Sequence, residues 1–267
     1  MAKIPRISHL QEFKNSGIKF SCLTSYDQFT AEIFDQAGVN VLLVGDSAAE
    51  NHLGHESVLA ITVEEIIPIG RAVAGAAKNA LVVVDMPFGS YEASKGDAVR
   101  NAVKIMKQTG AEAIKLEGGR RSAEQISAIV EAGIPVMGHI GFTPQSVHAL
   151  GGFKVQGRGD SSEEVMAEAL AVQEAGAFAV VLELVPSELA AKITQTLAIP
   201  TIGIGAGAAT DGQILVWTDF AGLSGGKPRK FVRQYLNLRE QLGAAAANYV
   251  SDVKQGSFPS ESESFED

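Results

Sequence analysis

A short β-branched run that ends on a polar residue, then an amphipathic stretch that closes near a glycine, recurs along the whole 267-residue chain. The apolar runs fall at 20–26, 41–46, 81–86, 113–117, 135–139, 179–183, 201–204 and 213–217. Runs this continuous suit parallel strands covered on both faces, because a strand with one solvated face would alternate apolar and polar residues. The return to the next strand is marked by "AGVNV", "TGAEAIK", "EAGIPV" and "EAGAFAVV". In these segments Gly38, Gly110, Gly133 and Gly176 supply the left-handed residue that ends a helix. Eight such units predict an α/β fold, a closed (β/α)8 TIM barrel, with an extra helix near 8–13 capping its N-terminal end. A doubly wound open sheet is the alternative.

Helix starts carry their own marks. Ser8/Gln11, Thr62/Glu65, Ser122/Gln125 and Ser161/Glu164 have capping-box spacing. Pro68 lies inside the helix that Thr62 opens and predicts a kink there. Two segments break the repeat. Residues 139–160 form a long loop after the fifth strand, and long loops in compact domains are often functional. Residues 257–267, "SFPSESESFED", are Ser-rich and acidic, and predict a tail that is poorly ordered or docks on a neighbouring subunit. The division expected is one catalytic barrel over 1–256 and this tail.

Composition narrows the function classes. Apolar residues make up 46% and charged residues 20%, which excludes a disordered or low-complexity chain. The 28 glycines and 6% aromatics suit many tight strand–helix turns. With 22 Lys and Arg against 31 Asp and Glu, the net charge is −9, so neither nucleic acid nor an anionic membrane is an expected partner. The single cysteine, Cys22, excludes an internal disulfide and sits in an apolar run, as a buried inert thiol would. No apolar stretch approaches the ~20 residues of a membrane span. The first 17 residues lack the apolar core of a signal peptide, so a cytoplasmic location is expected.

Barrel active sites lie at the C-terminal ends of the strands. The residues there are Asp46 and Ser47 after the second run, Asp85 after the third, Lys115 and Glu117 on the fourth, His139 on the fifth and Glu183 on the sixth. Residues two apart share a strand face, so Lys115 and Glu117 point the same way. A buried carboxylate is costly unless it is paired or holds a metal. Helix capping is the competing explanation for Asp46 and Asp85 taken singly; a run of acids and a lysine at successive strand ends points to a site. Oxygen donors favour a hard cation, hence Mg²⁺, which keeps waters and uses one or two carboxylates. His52 and His55 lack the cysteines or second pair a zinc site needs. No Gly-x-Ser-x-Gly elbow supports a serine nucleophile. "GIGAG" at 203–207 is either a phosphate cradle or close packing at a strand end.

Longer motifs add a resemblance. "LTSYD" (23–27), "LLVGDS" (42–47), "VVVDMPFGSYEAS" (82–94), "AIKLEGG" (113–119), "GHIGFTPQS" (138–146), "GGFKVQGR" (151–158), "GIGAG" and "DGQILV" (211–216) resemble the ketopantoate hydroxymethyltransferase family over about 23–258. The resemblance implies a barrel of the phosphoenolpyruvate/pyruvate type. It implies transfer of a hydroxymethyl group from 5,10-methylenetetrahydrofolate to 3-methyl-2-oxobutanoate, giving 2-dehydropantoate on the route to pantothenate and coenzyme A. By the same resemblance Asp46 and Asp85 are Mg²⁺ ligands and Glu117 reaches the metal through water. Ser47 and Lys115 bind the keto acid, with Asp46, Asp85 and His139 in the same pocket, and Glu183 is the general base. A homodecamer is implied too. Ala208, Thr218 and Val58 depart from the residues usual in the family, at the rim of the mouth. The competing chemistries are a related Mg-dependent C–C lyase and a Schiff-base aldolase using Lys115; neighbouring carboxylates favour a charged Lys115 over the neutral amine an aldolase needs.

Overall fold

The computed structural model describes residues 6–265. Eight parallel strands close into a barrel in sequence order: β1 (Phe20–Thr24), β2 (Val41–Val44), β3 (Leu81–Asp85), β4 (Ala113–Glu117), β5 (Val136–Gly141), β6 (Ala179–Glu183), β7 (Thr201–Ile204) and β8 (Gly212–Leu215). β8 returns to β1, with Cys22 opposite Ile214, so the open-sheet alternative is excluded. All eight predicted strands are present. The first, second, third and eighth end one or two residues before the runs do, at Thr24, Val44, Asp85 and Leu215.

The helices between strands are α2 (Gln28–Gln36), α3 (Val63–Ala76), α4 (Lys95–Thr109), α5 (Ala123–Glu131), α6 (Ser162–Glu174) and α7 (Ser187–Thr196). Gly38, Gly110, Gly133 and Gly176 all take positive φ, as the re-entry pattern requires. At Gly110 this residue ends α4, its N–H bonding to the Met106 carbonyl. Of the four predicted capping boxes only Thr62/Glu65 forms, with both reciprocal bonds made. Ser8 lies inside the first helix; the Ser122 hydroxyl donates to the Glu117 carbonyl instead, and that of Ser161 to the Arg158 carbonyl. Asp27 and Ser94 cap α2 and α4. Pro68 sits within the 14-residue α3, which continues across it to Ala76.

The barrel interior alternates by strand pleat. Phe20, Cys22, Val41, Leu43, Leu81, Val83, Ala113, Met137, Ala179, Val181, Ile202 and Ile214 form one buried cluster. The first helix, α1 (Ile7–Asn15), adds Leu10 to it, with Ile7 and Phe13 packed alongside. This is the predicted cap on the N-terminal end, and Lys14 fastens it by an ion pair to Asp211 at 2.9 Å. Burial pushes the Cys22 thiol up, consistent with an inert core residue.

By compactness the barrel unit runs to Val216 and a second unit begins at Trp217. The second unit holds α8 (Trp217–Phe220) and α9 (Leu238–Gln255). Within it the rings of Phe220 and Tyr235 stack at 5.1 Å, and Arg239 donates to the Leu223 carbonyl. None of the α9 residues is buried. The tail is exposed from Ser257 to Phe265 and makes one short helical turn at Glu261–Glu263; its last two acids, Glu266 and Asp267, lie outside the described residues. Among the described residues no helix is long and apolar enough to cross a membrane.

Candidate active site

The pleat that fills the barrel with apolar side chains also builds the site. Inward positions on β3 run Leu81, Val83, Asp85; on β4, Ala113, Lys115, Glu117; on β5, Met137, His139; on β6, Ala179, Val181, Glu183. The interior therefore changes from apolar to ionic on going toward the C-terminal strand ends. Strand register sets the neighbours: Asp85 lies opposite Lys115, Glu117 opposite His139, and Gly141 opposite Glu183.

Asp46 arrives differently. The inward position after Val41 and Leu43 is Gly45, where a Cβ would lie 2.8 Å from the Ser47 hydroxyl. The missing side chain lets the turn fold over Asp85, whose Oδ2 accepts the Asp46 backbone N–H at 3.0 Å. Neither acid caps a helix through its side chain; the capping explanation fails for both. Ser47, next in the turn, is hydrogen-bonded to the Tyr26 hydroxyl at 2.8 Å.

Five of the side chains are joined by close polar contacts. Lys115 Nζ is 2.7 Å from Asp85 Oδ1 and 3.3 Å from His139 Nδ1. His139 Nδ1 is 3.4 Å from Glu117 Oε1, and its Nε2 is 3.2 Å from Glu183 Oε2. Asp85 Oδ1, Glu117 Oε1 and His139 Nε2 have no aligned hydrogen-bond partner, so the Lys115–Asp85 contact and the two between His139 and the glutamates are ionic contacts outside hydrogen-bond geometry. Lys115, Asp85, Glu117 and His139 are all buried. Burial and the Lys115 ammonium oppose a charged imidazole, but Glu117 and Glu183 outweigh them and hold His139 at about 9. The Lys115 ammonium is held charged: burial opposes it, and Asp85, Asp46 and Glu117 together override burial. A charged Lys115 is a donor rather than a nucleophile, which counts against the Schiff-base aldolase.

Four carboxylates thus face two cationic groups. Burial, then the charges of Asp85 and Glu117, push Asp46 well above the usual carboxylate range, and burial raises Asp85 despite Lys115. Carboxylates that resist ionisation in this way describe a pocket short of positive charge. A divalent cation fits that deficit. Among the described residues no three His, Cys, Asp or Glu side chains converge to hold an ion alone. His55, by contrast, pairs with Glu65 at 3.3 Å.

Two residues of the site went unassigned in the sequence. Gln145, the buried residue of a helical turn at Pro144–Ser146, donates its amide to Asp46 Oδ2 at 2.9 Å and its backbone N–H to Glu117 Oε2 at 3.0 Å. Tyr91, fully buried in the loop after β3, donates its hydroxyl to Gln145 Oε1 at 2.7 Å. Burial, then Glu117 and Glu92, push the Tyr91 hydroxyl up, so it stays a neutral donor. Both lie within quoted motifs, but polar residues in loops carry no periodicity that would have singled them out.

Glu183 is held from its backbone. Its carbonyl accepts the Phe142 N–H at 2.8 Å, and the next residue, Leu184, has φ 49°. A non-glycine residue in that region stores roughly 1–3 kcal/mol, a cost found most often at functional sites. Gly141 makes the close approach possible: it has φ 88°, and a Cβ there would lie 2.3 Å from the Glu183 carbonyl oxygen. Gly141→Ala is therefore expected to lower kcat more than tenfold and to reduce the thermal midpoint, measured by steady-state kinetics and thermal unfolding. The glycines of 203–207 follow the packing explanation instead: a Cβ on Gly203 would meet Thr210 at 2.7 Å, and one on Gly207 would meet Ser187 at 2.6 Å.

A closed parallel barrel with ionic residues gathered at its strand ends defines a (β/α)8 enzyme. Solved structures of similar fold include phosphonopyruvate hydrolase in complex with oxalate and Mg²⁺, at TM-score 0.61 and 15% identity, covering 98% of this chain and 93% of that one. Another is 2,3-dimethylmalate lyase, a member of the PEP mutase/isocitrate lyase superfamily, at TM-score 0.58 and 15% identity, covering 99% and 93%. The likeness to these proteins is one of fold. Sequence goes further: a profile of the ketopantoate hydroxymethyltransferase family matches residues 5–261. A 3-methyl-2-oxobutanoate hydroxymethyltransferase of Leifsonia xyli subsp. xyli is 58% identical over 260 residues, covering 97% of this chain and 94% of the relative. One from Corynebacterium glutamicum is 56% identical over 264 residues, covering 99% and 98%. The chain belongs to the ketopantoate hydroxymethyltransferase family and is an enzyme, a one-carbon transferase.

Proposed function

We propose that this enzyme transfers a hydroxymethyl group from 5,10-methylenetetrahydrofolate to 3-methyl-2-oxobutanoate, giving 2-dehydropantoate, with Glu183 as the base. The observation that carries this is the placement of a strand-end carboxylate, Glu183, beside a buried pocket of acids, an ammonium and an imidazole. An α-keto acid brings a carboxylate and a keto oxygen, which need positive charge and donors. Its C3–H needs a base outside that cluster of oxygens.

Asp46 and Asp85 would hold Mg²⁺, with Glu117 acting through water. When bound, the cation polarises the keto oxygen and carboxylate and so acidifies C3–H. Lys115 and the Ser47 hydroxyl donate to the same oxygens, and the fixed positive charge of Lys115 favours the enolate as it forms. Glu183 removes the C3 proton. His139, 3.2 Å from the Glu183 carboxylate, orients it and returns a donor to the pocket. Water replaces both folate nitrogens on the methylene carbon, breaking its bonds to N5 and N10 and releasing tetrahydrofolate; C3 of the enolate adds to the resulting formaldehyde carbon, and its oxygen takes up a proton to become the new hydroxyl. A homodecamer in the cytoplasm belongs to the same proposal, and sedimentation of the purified chain tests the assembly.

The direct test is incubation with 3-methyl-2-oxobutanoate, 5,10-methylenetetrahydrofolate and Mg²⁺, with product followed by mass spectrometry. 2-Dehydropantoate is expected, and chelation with EDTA should abolish it. Turnover that persists after chelation removes the cation from the reaction; no product under full conditions removes the substrate assignment.

A further inference from the structure

We infer that Gln145 is a positioning residue for the cation site, fixing the Asp46 carboxylate with a neutral donor, and that Tyr91 sets the orientation of its amide. The inference rests on the reading of Asp46 and Asp85 as cation ligands.

Hydrogen-bond accounting leaves the Gln145 side chain one orientation. Its Nε2 donates to two acceptors, Asp46 Oδ2 at 2.9 Å and the Met86 carbonyl at 3.0 Å, which uses both amide hydrogens. The Met86 carbonyl cannot donate, so the amide nitrogen must face it. The oxygen, Oε1, takes the Tyr91 hydroxyl at 2.7 Å. That hydroxyl accepts the Glu117 backbone N–H at 3.2 Å and has the Glu117 carbonyl, also at 3.2 Å, as a longer second acceptor for its one hydrogen. The backbone N–H of Gln145 completes the set by donating to Glu117 Oε2 at 3.0 Å. Every polar group of the residue that faces the pocket has a partner, and the residue is buried.

The topology of these bonds is the informative part. One loop residue after β5 reaches the turn after β2, the residue following β3, and the last residue of β4. Asp46 is 99 residues away in sequence and lies past the end of its strand, where no ladder bond orients its side chain. Gln145 supplies that orientation. It occupies Oδ2 and leaves Oδ1 without a hydrogen bond among the described residues. The chemical type matters as well. A lysine or arginine here would orient Asp46 equally well but would neutralise it. An amide holds the carboxylate in place and leaves its full charge for a cation. Outer partners of this kind are typically worth about 10–100-fold in metal affinity.

The test is Mn²⁺ binding to the full-length chain, read by electron paramagnetic resonance of the free ion, beside kcat at rising Mg²⁺. Gln145→Leu should raise the Mn²⁺ Kd about 10–100-fold. Saturating Mg²⁺ should restore most of its kcat, which damage to the fold would not allow. Tyr91→Phe should move the Kd in the same direction by less. A folded Gln145→Leu protein with the wild-type Kd, or one whose kcat excess Mg²⁺ does not raise, overturns the positioning role. If Gln145→Leu does not fold, Tyr91→Phe decides alone, an unchanged Kd overturning the inference. A wild-type chain that binds no Mn²⁺ overturns the cation reading itself, and with it this one.

Discussion

Glu183→Gln is expected to lower kcat at least ~10²-fold while leaving Mg²⁺ and keto-acid binding near wild type. The amide has the shape of the carboxylate but cannot take the C3 proton. Its position is set by features the substitution does not touch: the Phe142 N–H on its carbonyl, the register opposite Gly141, and the left-handed Leu184 that follows. The effect should therefore appear in kcat rather than in KM. Calorimetric titration with Mg²⁺ and 3-methyl-2-oxobutanoate separates the two. Full activity in this variant removes Glu183 as the base.

Asp85→Ala should have the second large effect, on cation affinity and on stability together. Asp85 uses both oxygens within the chain, one toward Lys115 at 2.7 Å and one on the Asp46 N–H at 3.0 Å. Removing it leaves a buried ammonium with one counter-charge fewer and a buried N–H without an acceptor. Breaking a buried pair typically costs about 3–5 kcal/mol. Lys115 keeps Asp46 and Glu117 nearby, so the loss should fall toward the lower end of that range. As a direct ligand, Asp85 should also matter more to the cation than the roughly 10–100-fold of an outer partner. Urea unfolding and Mn²⁺ titration measure the two losses independently. An unchanged metal requirement removes Asp85 from the ligands.

The fold was legible because its signal is repeated and local. A strand buried on both faces must be apolar throughout, so each of the eight runs announces itself without knowledge of its neighbours. Helix starts were less legible for the opposite reason. Ser122 and Ser161 have the spacing of capping residues, but their hydroxyls have better partners in the Glu117 and Arg158 carbonyls. Spacing counts the options of a side chain and does not say which one wins.

The site divides in the same way. Asp85, Lys115, Glu117, His139 and Glu183 could be placed from strand parity, because a polar residue at an inward strand end has nowhere to point except the barrel mouth. Asp46 was located near the mouth, but the strand was expected to carry it there. In fact β2 stops at Val44, and Gly45 makes the approach to Asp85 possible. Gln145 and Tyr91 were beyond reach. Their partners lie 99 and 54 residues away, across loops, and only the closed barrel brings them together.

The central proposal is that Glu183 deprotonates C3 of the keto acid. Hydrogen–deuterium exchange at that carbon, followed by proton NMR in D₂O with Mg²⁺ present and the folate left out, isolates this step from everything after it. The wild-type chain should exchange the C3 proton of 3-methyl-2-oxobutanoate, and Glu183→Gln should slow that exchange at least ~10²-fold. Equal exchange rates in the two proteins, or none in either, would contradict it.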